Sequence, residues 1–180
     1  MNITETKTVW AIDPTHSELT FKVKHLMITN VKGEFRNFNA AIESVGDDFG
    51  KSKVTATVEA GSIDTNNNDR DNHLRSADFF DVENHQNITF EGTSFNKLDE
   101  ENYQLKGVLG IKDTKKEIVL DVEFGGFMKD PYGNEKAGFS FSGKINRKDW
   151  GLNWNAALET GGVMVSEEVR INGEIQFVKQ

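Results

Sequence analysis

"SELTFKVKH" at residues 17–25 sets Leu19, Phe21 and Val23 on one parity and Glu18, Thr20, Lys22 and Lys24 on the other. Successive side chains of a β-strand point to opposite faces, so this alternation reads as a strand with one face buried. The same period of two recurs along the chain. "VKGEF" brings Val31 and Phe35, then "FNAAI" brings Phe38, Ala40 and Ile42, with a slip of phase between them such as a β-bulge makes. "VTATVEA" supplies Val54, Ala56 and Val58; "ITFEG" Ile88 and Phe90; "YQLKGVLGI" Tyr103, Leu105, Leu109 and Ile111. "EIVLDVEF" supplies Ile118, Leu120, Val122 and Phe124; "FSFSGKI" Phe139, Phe141 and Ile145; "VRINGEIQFV" Val169, Ile171, Ile175 and Phe177. The separators, such as "SVGDDFGKS", "NKLDEEN" and "KDPYGNEK", are turn material.

Eight or more antiparallel strands and one short helix are therefore expected. An eight-stranded antiparallel up-and-down barrel is the leading architecture, because closure removes the edges that amphipathic strands would otherwise expose. A two-sheet sandwich is the alternative, since alternation alone does not separate the two. Gly33, Gly107 and Gly143 inside strands suit a strongly curved sheet. Eight closed strands leave an interior that side chains just fill or that holds one slender ligand.

The helix is expected within "NDRDNHLRSAD", 68–78, where Asn and Asp suit an N-cap and Leu74 and Ala77 share a face. Phe79 and Phe80 follow directly; they either close the core or line the mouth of a cavity.

A chain of 180 residues suits one domain. Its 21 Lys plus Arg against 29 Asp plus Glu give a net charge of −8, which opposes nucleic-acid binding. Without cysteine there is no disulfide, thiolate metal site or Cys nucleophile. The N-terminal "MNITETKTVW" lacks the pattern of a secretory signal, and no apolar run approaches ~18 residues, so a soluble, cytoplasmic protein without stable membrane insertion is expected. Thirteen Phe beside three Trp and two Tyr favour the aromatic residue without a polar handle, as the lining of something large and apolar would require.

Five ordered blocks carry a resemblance: "WAIDPTHSELTFKVKHLMITNVKGEF" at 10–35, "LRSADFFDVENHQNITF" at 74–90, "GVLGIKDTKKEIVLDVEF" at 107–124, "GFSFSGKINRKDWGL" at 138–152 and "VSEEVRINGEIQF" at 165–177. Together they resemble the signature blocks of the YceI-like family of lipocalin-like polyisoprenoid-binding proteins. The resemblance implies an eight-stranded barrel whose elongated apolar pore binds a polyisoprenoid or similar amphiphile, with no catalytic activity and no obligatory cofactor.

On that footing the wall is assigned to Leu19, Phe21, Val23, Phe35, Phe38, Val58, Leu105, Leu109, Ile118, Leu120, Phe139, Phe141 and Ile145, with Leu74, Phe79 and Phe80 from the helix. The ligand would be a polyprenyl phosphate or isoprenoid quinone, or alternatively a fatty acid or fatty amide. The competing reading is that these side chains fill a solid core. His25 and Arg147 continue inward series to strand ends and are candidates for a head group. Against that stands an internal role, an Arg147–Asp149 or His16–Asp13 pair that pins a corner of the barrel.

His16, His25, His73 and His85 lack the spacing of common metal sites. An enzyme reading would draw on Asp13, His16 and Ser17, yet neighbours on a strand face opposite ways, and no nucleophile elbow, P-loop or dinucleotide fingerprint occurs. A protein-recruitment module would use the exposed parity, where Lys22, Lys24, Thr55, Thr57, Glu59 and Lys106 form a solvated face without an apolar patch. A monomer or homodimer is compatible with all of these.

Overall fold

The computed structural model describes residues 7–46, 48–155 and 164–180, so part of the N-terminal stretch read for a targeting signal lies outside the described residues. The strands are β1 (Lys7–Ile12), β2 (Glu18–His25), β3 (Thr29–Phe35), β4 (Phe38–Val45), β5 (Asp48–Glu59), β6 (Ile63–Asp64), β7 (Asn87–Lys97), β8 (Asn102–Ile111), β9 (Thr114–Lys129), β10 (Glu135–Asn146) and β11 (Val165–Lys179), and α1 (Asn68–Arg75) lies between β6 and β7. All the strands belong to one antiparallel sheet that closes on itself as an eight-stranded up-and-down barrel.

The additional elements arise because long strands are broken. β1 and β2 run along one edge of β11, β1 against its C-terminal part (Trp10↔Lys179) and β2 against its N-terminal part (Val169↔Val23). Beside them, β4 pairs with β1 and β3 with β2. The phase slip between Phe35 and Phe38 is present, but as a bend rather than a bulge. Arg36 N and Asn37 N leave the ladder and donate to the Ser62 carbonyl (3.2 Å) and Ser62 Oγ (3.1 Å), which ends one strand and starts the next.

The break between β1 and β2 is built around Asp13 and Pro14, the proline having no N–H to give to the ladder. Asp13 Oδ1 accepts from Thr15 N (3.1 Å) and Thr15 Oγ1 (2.7 Å), while Oδ2 meets His16 Nδ1 (2.8 Å) and Lys136 Nζ (3.2 Å). The expected His16–Asp13 pair thus exists, and Lys136 ties it to β10. Ser17 Oγ is occupied by Gln176, accepting from its N at 3.0 Å, so Asp13, His16 and Ser17 do not assemble as a catalytic relay.

The hydrogen bonds from the Thr15 hydroxyl, His16 and Lys136 hold the Asp13 carboxyl well below the usual carboxylate range. A carboxyl with a lowered native pKa stabilises the fold fully above its unfolded pKa of about 4, and that contribution fades as pH falls below it. Asp13→Asn is therefore expected to lower stability at neutral pH by about 1–3 kcal/mol. In urea unfolding the gap to wild type should narrow steadily from about pH 5 to about pH 2.

One end of the barrel is shut by aromatic rings. Phe49, 1% exposed, lies 5.1 Å from Phe139, 5.5 Å from Phe124, 5.7 Å from Phe127 and 5.8 Å from Trp10 between ring centres. Trp10 Nε1 donates to Ser44 Oγ (3.2 Å), which satisfies the one polar atom of that ring in the plug.

At the other end sits α1, capped by Asn67, whose Oδ1 accepts from Arg70 N at 3.0 Å. The helix is shorter than expected, because Ser76 N and Oγ both donate to the His73 carbonyl (3.1 and 2.6 Å) and close it after Arg75. Arg70, Arg75 and the buried Asp71 latch it down. Arg75 donates to the Gly61 (2.9 Å) and Ile63 (3.1 Å) carbonyls, and Asp71 Oδ1 accepts from Thr65 N (2.9 Å) and Thr65 Oγ1 (2.5 Å).

Candidate functional site

Between the aromatic plug and α1 the barrel is hollow. The cavity measures about 630 Å³, within the range of roughly 300–1,000 Å³ that small-molecule sites occupy. Its wall comes from the inward parity of the strands. Every residue assigned to the wall from the sequence lines it: Leu19, Phe21 and Val23 of β2, Phe35 of β3, Phe38 of β4, Val58 of β5, Leu105 and Leu109 of β8, Ile118 and Leu120 of β9, and Phe139, Phe141 and Ile145 of β10. Leu74, Phe79 and Phe80 reach it from α1 and the turns that follow. Away from the aromatic plug, the barrel core and the cavity wall thus draw largely on the same side chains.

Glycines explain why so many rings leave a hollow. Phe21 lies directly across from Gly33, and Phe141 across from Gly173. A Cβ on either glycine would overlap the facing ring, as one on Gly107 would overlap Phe90. Each ring is seated in the space of the missing side chain, flat on the wall rather than projecting into the lumen. Gly143 makes the same room for Leu120. The strand glycines read as kinks for curvature therefore have a second reason: all lie on the inward parity and widen the bore. Ala40 and Ala56, paired across β4 and β5 and both lining the cavity, add a further stretch of low wall. From Phe139 to Ile145 the lining runs about 20 Å along β10 at about 3.3 Å per residue.

Polar groups gather at the α1 end. His25, half-buried at the end of β2, lines the cavity, and its imidazole has no hydrogen-bond partner among the described residues. Arg147 also lines it and is only 3% exposed. Its guanidinium is spent largely on backbone: Nε donates to Ser166 O (2.9 Å), Nη1 to Leu152 O (2.6 Å) and Trp154 O (2.9 Å), and Nη2 to Val165 O (3.2 Å). The expected Arg147–Asp149 pair does not form; Asp149 faces Lys116 at 3.9 Å. The physical reason is local. The segment after the turn Arg147–Trp150 presents the Leu152 and Trp154 carbonyls and the start of β11 those of Val165 and Ser166, and one planar fork serves all four. Burial lowers the Arg147 pKa from its ordinary value.

Several lining residues were not assigned to the cavity from the sequence: Thr65, Asn67, Asp69, Arg70 and His73 at the mouth, and Trp154 beside them. Trp154 packs edge-on against His73 (4.7 Å between ring centres), and His73 Nε2 bonds Asp78 Oδ2 at 2.8 Å. Arg70 is held by Thr65, Nε to Oγ1 and Nη2 to the carbonyl, both at 2.7 Å. A helix placed between two strands of a barrel is the signal that these residues border an opening. Among the described residues no three His, Cys, Asp or Glu gather as a metal ion would need, and no helix is long and apolar enough to cross a membrane.

The family model of the YceI-like domain matches residues 10–177. A UPF0312 protein of Staphylococcus epidermidis is 44% identical over 171 residues, covering 94% of this chain and 97% of the relative. A UPF0312 protein of Staphylococcus aureus is 43% identical over the same share. Among solved structures, the Campylobacter jejuni YCEI protein superposes with a TM-score of 0.75 at 34% identity, over 87% of this chain and 90% of that one. BcnA of Burkholderia cenocepacia reaches 0.80 at 18% identity, over 92% and 98%. A domain from Saccharophagus degradans, described as polyisoprenoid-binding and implicated in plant cell wall breakdown, reaches 0.71 at 13%, over 95% and 98%. These last two likenesses are of fold.

Proposed function

As this chain belongs to the YceI-like family, we propose that it is a non-catalytic binding protein that stores or carries a long-chain isoprenoid lipid, a polyprenyl phosphate or isoprenoid quinone, in the barrel lumen. The observation that carries this reading is the hollow itself: an elongated apolar cavity of about 630 Å³, plugged at one end and polar at the other. That the Saccharophagus degradans domain of the same fold is described as polyisoprenoid-binding supports the ligand class. The wall residues named above would hold the tail, and each isoprene unit that buries ~100 Å² of apolar surface contributes roughly 2.5 kcal/mol before ordering costs. The head group would sit at the α1 end, where the imidazole of His25 is available as donor or acceptor. Arg147 would contribute its charge to the same end while its donors hold the backbone.

Native mass spectrometry of the purified protein, followed by organic extraction, tests this. A co-purifying chain of repeated isoprene units, or a thermal shift with polyprenyl phosphates or quinones, is the expected result. A fatty acid or fatty amide recovered instead would reassign the ligand to another amphiphile. Protein recovered empty, with no shift on adding any of these, would overturn carriage altogether.

The glycine seats give a sharper test. Gly173→Ala displaces the Phe141 ring from the wall into the lumen. Lipid affinity should fall about 10-fold, equivalent to the loss of about 1.4 kcal/mol. Overpacking should lower stability by about 1–3 kcal/mol. Lipid titration monitored by Trp fluorescence, run beside urea unfolding, separates the two effects.

A further inference from the structure

The β2–β3 hairpin ends at the α1 end of the barrel in three apolar residues that face water: Leu26, Met27 and Ile28, 38%, 52% and 79% exposed. The turn is closed by Ile28 N donating to the His25 carbonyl (3.3 Å), and its central residues Leu26 and Met27 both have positive φ, 54° and 64°. Such turns ordinarily take Asn or Gly, which tolerate the left-handed region. Here that conformation is imposed on two large apolar side chains, against both local preference and solubility. The tip is also continuous with the cavity mouth. Lys24 and His25 on one side of the turn line the cavity, and Leu26 N donates to the carbonyl of Met164, another lining residue (2.8 Å).

Behind the tip lies a row of cations. Lys22 stands directly opposite Lys32 on β3 and opposite Arg170 on β11, a like-charge alignment that costs a sheet stability. Lys22, Lys24 and Lys32 form no ion pair among the described residues. The nearby carboxylates are engaged elsewhere: Glu167 with Lys148 at 2.8 Å, Glu168 with Arg170 at 3.6 Å and Lys144 at 3.8 Å, and Glu34 with Arg36 at 3.4 Å. This local positive patch occurs in a chain of net charge −8.

From these observations we propose that the β2–β3 hairpin is a docking finger for an anionic lipid bilayer. Leu26, Met27 and Ile28 enter the interfacial layer while Lys22, Lys24, Lys32 and Arg170 meet the anionic head groups. Docked this way, the mouth of the cavity opens onto the membrane, and a lipid passes between the two without its tail crossing water. The apolar surface lies at the hairpin tip, apart from the strand parity of Lys22, Lys24, Thr55, Thr57, Glu59 and Lys106 that reads as a solvated face. This surface goes beyond the lipid-carrier reading and is tested separately from it.

Vesicle flotation provides the test, using phosphatidylcholine vesicles with and without about a third phosphatidylglycerol. Wild type should float with the anionic vesicles and far less with the neutral ones. Leu26→Ser/Met27→Ser/Ile28→Ser should lose at least about 10-fold in vesicle affinity, and Lys22→Glu/Lys32→Glu a similar factor on the anionic vesicles alone. Ile28→Ser, at the most exposed position, repeats the test where folding is not at risk. Organic extraction of each variant reads lipid occupancy independently, so a failure of docking is distinguishable from a failure of binding. Wild type that does not float with anionic vesicles, or hairpin variants that float like wild type, would overturn the proposal.

Discussion

Ala40→Phe combined with Ala56→Phe is expected to lower lipid affinity at least 100-fold while leaving the barrel folded. The two alanines face each other across β4 and β5 on the inward parity, at a stretch of wall where the cavity has free space. Two rings placed there take up the room of about two isoprene units, each worth roughly 2.5 kcal/mol of apolar burial. Even after a third of that is recovered by the tail bending elsewhere, about 3.3 kcal/mol is lost, which is a factor of more than about 100. Stability should hold or rise, since the new rings bury apolar surface in a hollow rather than in a packed core. Lipid titration and urea unfolding on the same samples check both statements. A variant that binds as wild type does would place the ligand outside the lumen.

Arg147→Ala is expected to have the largest effect on stability, a loss of about 3–5 kcal/mol. The side chain is 3% exposed and its guanidinium is shared among the carbonyls of Leu152, Trp154, Val165 and Ser166. Removing it leaves buried acceptors without donors and unties the segment after β10 from the start of β11. Arg147→Lys should recover little, because a single ammonium does not reach acceptors arranged around a planar fork. Denaturant unfolding of both variants reads this directly. A lysine variant as stable as wild type would mean that the charge, and not the fork, is what the mouth requires.

The fold was legible to the extent that it depends on period. Leu19, Phe21 and Val23 alternate with charged neighbours, and the structure turns that alternation into a wall with an inside and an outside. Parity alone does not distinguish a filled barrel from a hollow one, since both require the same apolar residues on the same face. What decides between them is pairing across strands: Phe21 over Gly33 and Phe141 over Gly173, contacts between residues far apart in the chain. The breaks in β1/β2 and β3/β4 have local causes at Pro14 and at Arg36–Asn37, but their partners Lys136 and Ser62 are distant in sequence. Arg147 was identified as a residue at a strand end near an opening. Its partners were not, because they are main-chain carbonyls, which every residue possesses and no side chain announces. The hairpin tip escaped notice for a related reason: "HLMIT" reads as one more apolar run until positive φ at Leu26 and Met27 turns it outward.

The most direct test of the central claim, that the alternate apolar side chains enclose a space for a lipid tail, is a crystal structure of the protein loaded with a polyprenyl phosphate. The expected result is continuous, elongated density running from the mouth between His25 and Trp154 down to Phe139 above the aromatic plug, with Phe21, Phe90 and Phe141 still seated over their glycines. A lumen closed by those same rings turned inward, with the lipid absent or lying on the outer surface, would contradict it.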